Sequence, residues 1–326
     1  MTRFLVRRIL GALVILFLIL FITYTAFFVL APNPALLSCG KNCTPQNIAL
    51  INHNLGFDKP VAVQFWDYLK GIFAGRNDLS VGPCPAPCFG YSFAQQQPIW
   101  TMIKSAYPTT LSLAVGGGFC FFVIGMGLGL IAAWRQGTLT DSAARAISLV
   151  GLSTQIYFIG PLAILVFADK LGWVSAGADP DWTHDPLGSL DGLILPCLVL
   201  SVIFWGNYTR QIRSQMIEQL HEDHIRTARA KGMSPSYVFF RYALRGTMAP
   251  MLTVFGIDLG QVFGGAIITE VTFGLHGLGH LSVEAVLQAD LPLEMGVTLF
   301  AATAIITANV IVDASYALLD PRVRLT

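Results

Sequence analysis

An all-α membrane protein with six transmembrane helices is what this sequence predicts, on three observations. Hydrophobic residues make up 54% of the 326 residues and charged residues only 12%, about half the charged share of an ordinary soluble domain. Mean hydropathy is +0.62, so the few charges cannot cover a globule of this size and much of the surface must face lipid. Apolar runs long enough to cross a bilayer, about 20 residues each, recur along the chain. Within such runs the backbone has no water to bond, which leaves helix as the available conformation. A disordered tail, a secreted disulfide mini-protein and a soluble enzyme are excluded. The net charge of +1 gives no sign of a nucleic-acid partner.

The first span covers roughly residues 9–31. Its apolar run is longer than the 7–15 residues of a signal-peptide core, and Ala31-Pro32-Asn33-Pro34 follows it, so it reads as a permanent helix. An extended extracytoplasmic segment occupies 32–105, long enough to form an ordered cap. The second span begins after Tyr107-Pro108 and ends near Trp134. Spans three to six fall at about 147–167, 193–205, 251–271 and 293–318. The chain thus divides into 1–31 (amino-terminal end and first span), 32–105 (extracytoplasmic segment) and 106–326 (spans two to six), the last holding a helical cytoplasmic stretch at about 213–248.

Orientation follows from Lys and Arg placement. Fourteen fall on one side, among them Arg3, Arg7 and Arg8 before the first span and Arg322 and Arg324 after the last, against six on the other. Both termini are therefore predicted to be cytoplasmic in a multi-pass cell-membrane protein. Asp169, Asp179, Asp181, Asp185 and Asp191 crowd an outer loop.

Of six cysteines, Cys39, Cys43, Cys84 and Cys88 form two C-x3-C pairs in the outer segment. An oxidising exterior favours disulfides there over a zinc site, with three connectivities open. Cys120 and Cys197 lie within spans and read as small apolar fillers.

No G-x-x-x-x-G-K-[ST] phosphate loop occurs, so any ATP used must be hydrolysed by another chain. Gly125-Met126-Gly127-Leu128-Gly129 lies inside a span, where Gly125 and Gly129 form a small-x-x-x-small pair for close helix packing. The pairs His221/His224 and His276/His280 fall short of a metal site, and no nucleophile–base set recurs. Asp258, Glu270 and Asp313 are intramembrane carboxylates, costly in lipid and so candidates for path lining or cross-helix pairing. A proton-coupled secondary transporter or channel built on them is the alternative function.

The sharpest signal is the cytoplasmic stretch. After His221 it reads Glu222-Asp-His-Ile-Arg226-Thr227-Ala228-Arg229-Ala230-Lys231-Gly232. On a helix, Ile225, Ala228 and Gly232 share a face beside Arg226 and Arg229. Gly232 suits the end of that helix, Ser234 the cap of the next and Pro235 its first position. The second helix, about 235–245, presents Val238, Phe239, Tyr242 and Ala243 as an apolar stripe, and Gly246 is expected to end it. Helix punctuation and stripe predict docking into a partner's groove.

This segment resembles the coupling segment of ABC importer permeases, through Thr227-Ala228-Arg229-Ala230-Lys231-Gly232 with Leu244 and Pro250 downstream. The chain is similar over nearly its full length to the first permease subunit of the dipeptide/oligopeptide/nickel importer family. Arg7-Arg8, Leu55-Gly56-Phe57-Asp58-Lys59-Pro60, Gln64-Phe65, Thr109-Thr110-Leu111, Gly264-Gly265-Ala266, Glu270-Val271-Thr272-Phe273, Gly277-Leu278-Gly279, Asp313-Ala-Ser-Tyr316 and Leu319-Asp320-Pro321-Arg322 carry the likeness. It departs from the family at Pro32-Asn33-Pro34, at Ser153-Thr154-Gln155-Ile156-Tyr157-Phe158 and in a cysteine-containing insertion at 83–97.

The resemblance implies a type I ABC importer permease fold and no enzymatic site in this chain. It implies a second permease, two cytoplasmic ATPases that hold ATP and Mg, and an extracytoplasmic binding protein delivering a peptide-like solute. Residues Glu222, Arg226, Thr227, Ala228, Arg229, Ala230, Lys231 and Gly232 would then carry ATPase coupling. The solute itself stays open among dipeptide, oligopeptide, nickel chelate, glutathione-like compound and oligosaccharide.

Overall fold

A computed structural model of the protein describes residues 2–29, 44–55, 59–76, 83–92 and 94–319. The helices, in order, are α1 (Thr2–Tyr24), α2 (Pro45–Leu55), α3 (Val61–Ala74), α4 (Ile99–Trp134), α5 (Leu139–Ser153), α6 (Ile156–Ala163), α7 (Pro186–Leu220), α8 (Asp223–Ala230), α9 (Pro235–Tyr237), α10 (Leu244–Phe263), α11 (Ile267–Phe273), α12 (Leu278–Leu287) and α13 (Leu291–Leu319). A two-residue hairpin, β1 (Tyr91–Ser92) with β2 (Gln97–Pro98), precedes α4. π-helical turns extend α1 (Thr25–Val29) and α6 (Ile164–Lys170), and one (Val238–Ala243) joins α9 to α10.

Among the described residues, four helices are long and apolar enough to cross a membrane unaided, over Val6–Phe27, Ile99–Trp134, Pro186–Leu220 and Leu291–Val312. Two bent pairs make six crossings if each pair is one span: Leu139–Ser153 with Ile156–Lys170, bent by 102°, and Pro250–Phe263 with Ile267–Phe273, bent by 52°. The expected continuous helix over 147–167 is therefore broken. Thr154 and Gln155 adopt extended backbone, and the hydroxyls of Ser153 and Thr154 donate to the carbonyls of Leu149 and Val150 at 2.9 and 2.6 Å. Side chains thus serve carbonyls that the interrupted helix would otherwise leave bare in lipid. The fifth crossing breaks at Gly264-Gly265, where Gly265 takes φ +125°.

Two further boundaries differ from expectation. The second span starts at Ile99, with Pro108 inside the helix. An internal proline costs about 3 kcal/mol, offset here by burial of Ile99, Met102, Ile103 and Ala106 on the preceding turns. The fourth span runs 35 residues, well beyond 193–205, from the cap at Asp185 to Leu220. Asp185 accepts the Gly188 N–H at 2.9 Å. Asp191 likewise accepts from the Ser175 N–H at 3.2 Å, and Asp181 from Thr183 and His184. Hydrogen bonds from Thr183 and His184 hold the Asp181 carboxyl down at about 2. Part of the acidic crowding of this loop is local capping.

The chain forms two compact units. The larger holds residues 111–275 and the end of α13. Its axis is α7, which meets glycine on two sides. A Cβ on Gly125 of α4 would lie 2.5 Å from Tyr208 Cβ, and one on Gly129 would lie 2.8 Å from Ile212 Cβ. The order of these contacts makes α4 and α7 parallel, so residues 135–185 return the chain to the end from which α4 set out. On another side, a Cβ on Gly206 would meet the Ser148 carbonyl at 2.6 Å and one on Gly151 the Val202 carbonyl at 2.9 Å, with α5 antiparallel to α7. Ser148 Oγ donates to the Gly206 carbonyl at 2.6 Å.

The smaller unit combines residues 2–110 and 276–307. Its core gathers Leu20 and Tyr24, Phe65 and Tyr68, Phe89, Ile99 and Ile103, Leu278 and Leu281, and Leu293 with Met295. Thr110 Oγ1 accepts the Leu278 N–H at 2.8 Å at the start of α12, bringing together two of the sequence motifs. Asp290 accepts from Ser92 Oγ at 2.5 Å and caps α13 through the Leu293 N–H at 3.2 Å. Its burial pushes the carboxyl above the usual range, and those same hydrogen bonds oppose the shift.

Adding a methyl group tests the packing around α7. Gly125→Ala and Gly129→Ala are expected to destabilise the protein by about 1–3 kcal/mol through overpacking, read as a lower melting temperature in detergent. Gly127→Ala, where a Cβ meets nothing within 4 Å, should leave it unchanged.

Candidate functional site

The candidate site is the turn and helix pair that follow α7. The His221 and Glu222 N–H groups bond back to Glu218 and Gln219 carbonyls at 3.0 and 3.2 Å, ending α7. Helix α8 then closes with the Gly232 N–H on the Arg229 carbonyl at 2.9 Å and the Met233 N–H on the Ala228 carbonyl at 3.4 Å. This is the Schellman arrangement, which needs a left-handed residue at its centre. Gly232 fills it with φ +78°. Ser234 caps the next helix by accepting the Tyr237 N–H at 3.4 Å, with Pro235 at its first position. The punctuation matches that read from the sequence.

The packing of the pair differs from it. Ile225 and Ala228 are fully or nearly fully buried and belong to a core with Val238, Phe239, Ala243, Tyr208 and Met251. The small-residue face is therefore turned into the protein's own core, and the stripe of Val238, Phe239 and Ala243 is its counterpart rather than a ridge for a partner's groove. Trp134, at the end of α4, adds edge-on and stacked contacts to Phe239 and Phe240 at 4.7 and 5.9 Å. Outward on α8 and its exit turn stand Glu222, Asp223, His224, Arg226, Thr227, Arg229, Ala230, Lys231 and Gly232, all exposed, and the second segment leaves Tyr237 and Phe240 exposed. No atom of the chain lies within 4 Å of a Cβ placed on Gly232.

Gly246 does not end the second helix, which continues through the π turn into α10. A Cβ there would meet the flexible end of the Gln219 side chain, so the end of α7 lies beside this stretch. At the next residue, Thr247 Oγ1 donates to Met216 Sδ at 3.1 Å.

An ion pair absent from the sequence reading fixes α5 to the same end of α7. Asp141, 1% exposed, accepts from Arg213 Nε at 2.6 Å and from its terminal nitrogen at 2.8 Å. The Gly137 N–H donates at 3.0 Å, and Arg145 stands 3.4 Å away. The sequence held a faint sign of it, an acid just after Thr138-Leu139-Thr140 with an arginine four residues on.

Of the three intramembrane carboxylates, two have described side chains. Asp258 on α10 is partly exposed, and its carboxylate accepts from Tyr208 Oη at 2.8 Å. Glu270 on α11 is fully buried. Asp313 lies on α13, its side chain outside the described residues. Cys84 and Cys88 form a disulfide with 5.6 Å between Cα atoms, beside the Arg76–Cys84 bridge of backbone hydrogen bonds at 2.7 and 2.9 Å. Cys39 and Cys43 lie outside the described residues. The rings of His276 and His280 stand 5.2 Å apart, and among the described residues no three His, Cys, Asp or Glu side chains converge as a metal site would require.

With this geometry in view, comparison with known families is decisive. Residues 1–114 match the amino-terminal model of the binding-protein-dependent transport system membrane component, and residues 125–325 match the binding-protein-dependent transport system inner membrane component. The chain is a permease of this ABC importer family. It is similar to the di/tripeptide transport system permease protein of Pseudomonas aeruginosa, 32% identical over 346 residues and 99% of each chain. It is equally similar to the glutathione transport system permease protein of Escherichia coli K12, 32% identical over 325 residues and 99% of each. A Brucella abortus protein named for a peptide transport system is 33% identical over 324 residues, again 99% of each. The permease is thus a membrane component and not an enzyme, and the proton-coupled carrier reading gives way to the family.

Removing the Asp141 carboxylate strands the Arg213 guanidinium. Asp141→Ala is expected to cost on the order of 3 kcal/mol. Arg145→Ala, which removes an exposed partner, should cost under about 1 kcal/mol. Thermal unfolding of the two variants side by side separates these outcomes.

Proposed function

We propose that this permease forms half of the translocation path of an ATP-driven importer, paired with a second, homologous permease. In this reading a substrate-binding protein outside the membrane delivers a peptide-like solute, and two cytoplasmic ATPases bind and hydrolyse ATP. Both chain termini and the α8–α9 pair face the cytoplasm, in keeping with the excess of Lys and Arg on that side. The printed names of the relatives, di/tripeptide and glutathione transport permeases, support a short peptide or peptide-like cargo.

The observation that carries the coupling role is the division of α8 into two faces. Ile225 and Ala228 root it in the core around Tyr208 and Met251, while Glu222, Arg226, Thr227, Arg229, Ala230 and Lys231 stand outward. A short helix held rigidly from beneath and charged above can transmit displacement of a docked ATPase without itself deforming. Ala228 contributes as part of the root, and Gly232 by making the sharp exit turn. The root adjoins Tyr208, whose hydroxyl holds Asp258, so displacement of α8 has a packed route to a carboxylate partly open at mid-span. Asp258 is the path-lining candidate of the three acids.

Charge reversal at Arg229, outward on α8, should leave the permease folded and membrane-inserted. It should abolish stimulation of ATPase activity by the binding protein and reduce solute uptake to background. A bulky residue at Gly232 meets open space but a backbone that L-residues rarely adopt, so Gly232→Val should lose both transport and ATPase docking. The assay is ATP hydrolysis and uptake by the reconstituted four-subunit complex. Normal coupling in the Arg229→Glu complex would remove the role assigned to α8.

A further inference from the structure

We infer that α3 is an interfacial helix of the membrane, with the face carrying Val63, Trp66 and Phe73 buried in lipid acyl chains beside α1. The sequence alone places this helix within a long extracytoplasmic segment, and nothing in that reading puts it at membrane depth.

The argument begins with where α3 touches α1. Phe65 packs edge-on against three rings of α1, Phe17 and Phe21 at 5.8 Å and Tyr24 at 5.5 Å. All three lie within the apolar stretch Val6–Phe27. At 1.5 Å of rise per residue, Phe21 sits roughly 9 Å inside the end of that stretch. A helix whose central ring is seated there lies level with the outer acyl chains, at the depth of about 5–10 Å usual for interfacial helices.

Polar groups at that depth are costly unless paired within the protein, and Gln64 and Asp67 of α3 are paired. The Gln64 side chain is buried, donating to the Lys59 carbonyl at 2.6 Å and accepting from Tyr24 Oη at 3.1 Å. Lys59 pairs with Asp67 at 2.8 Å. The Val63 and Gln64 N–H groups bond to the Pro60 carbonyl at 2.8 and 3.1 Å.

The two faces of the helix then differ in what covers them. Gln64, Phe65, Tyr68 and Gly71 are buried against the rest of the unit. On the opposite side Val63 is 44% exposed, Trp66 60% and Phe73 78%. At 100° per residue these three share one face, and Lys70 lies within it, between Val63 and Trp66, where its long stem can carry the ammonium up to the headgroups. The neighbouring surface of α1 is equally bare: Leu13, Val14, Phe17, Leu18, Phe21 and Ile22 are each 43% to 62% exposed, as a lipid-facing span requires. The apolar face of α3 continues that lipid-facing surface, and lipid is accordingly the occupant we assign to it.

Two measurements on the assembled importer in lipid nanodiscs test this. Tryptophan fluorescence is read with lipids brominated along one acyl chain, comparing the native permease with the conservative variant Trp66→Phe. The native complex should show a quenched component that the variant lacks. In the second, a benzophenone amino acid replaces Phe73 and is photolysed. Adducts to lipid, in yield matching the same probe at Leu13 on α1, are expected. Quenching unchanged by Trp66→Phe overturns the assignment. So does a cross-link from position 73 to the partner permease or to the binding protein, and so does the absence of any adduct where Leu13 gives one.

Discussion

Everything in the larger unit depends on how closely α7 is approached. Lipid offers no hydrophobic drive between helices, since acyl chains are as apolar as leucine, so association rests on contact area and on interhelical hydrogen bonds. Glycine makes room for both. With no side chain at Gly125, Gly129, Gly151 or Gly206, α4 and α5 come within van der Waals reach of α7 backbone atoms. Hydroxyls of Ser148 and Thr209 then bond to carbonyls on the facing helix, those of Gly206 and Gly125, at 2.6 and 3.4 Å. Tyr208 fills the space at the centre, against Phe121 and Phe122 and beneath Asp258. The Asp141–Arg213 pair and the Thr247–Met216 hydrogen bond then set the end of this bundle to which α8 is attached.

Much of this was legible in the sequence. Composition and run length identify an all-helical membrane protein, and the spacing of Gly125 and Gly129 points to a helix interface. Gly232, Ser234 and Pro235 mark the α8–α9 turn because those residues have narrow conformational uses. The failures share a cause. Hydropathy averages over a window, so it cannot tell a straight span from one broken at Thr154-Gln155, where hydroxyls replace backbone partners at no cost in apolarity. Nor does it separate the helix start at Ile99 from the membrane edge near Pro108. Gly246 was ambiguous in kind, because a glycine can end a helix or admit a neighbour, and only the position of Gln219 decides between them.

Charged residues follow a similar division. A carboxylate in an apolar run is visible at once, as Asp258 and Glu270 were, but its environment is not. One proves partly open and held by a tyrosine, the other sealed in the chain's own interior. Asp141, which sits in a stretch that reads as an ordinary basic loop, turns out to be among the most buried charges described. Pairing over 72 residues of sequence leaves only the faint local sign of an acid four residues before Arg145. The same holds for Ala228, whose spacing specifies a helix face without saying whether that face looks inward or outward.

The absence of a stop at Gly246 makes one stretch of helical backbone serve two places. From Pro235 through the π turn to Phe263 the chain stays helical, with Pro250 inside it, about 40 Å long at 1.5 Å per residue. Phe239 and Ala243, near its start, lie in the same cluster as Ile225 and Ala228. Asp258, near its far end, receives the hydroxyl of Tyr208 from that same cluster. The core that roots α8 and the carboxylate at mid-span therefore share one element, and no loop separates them.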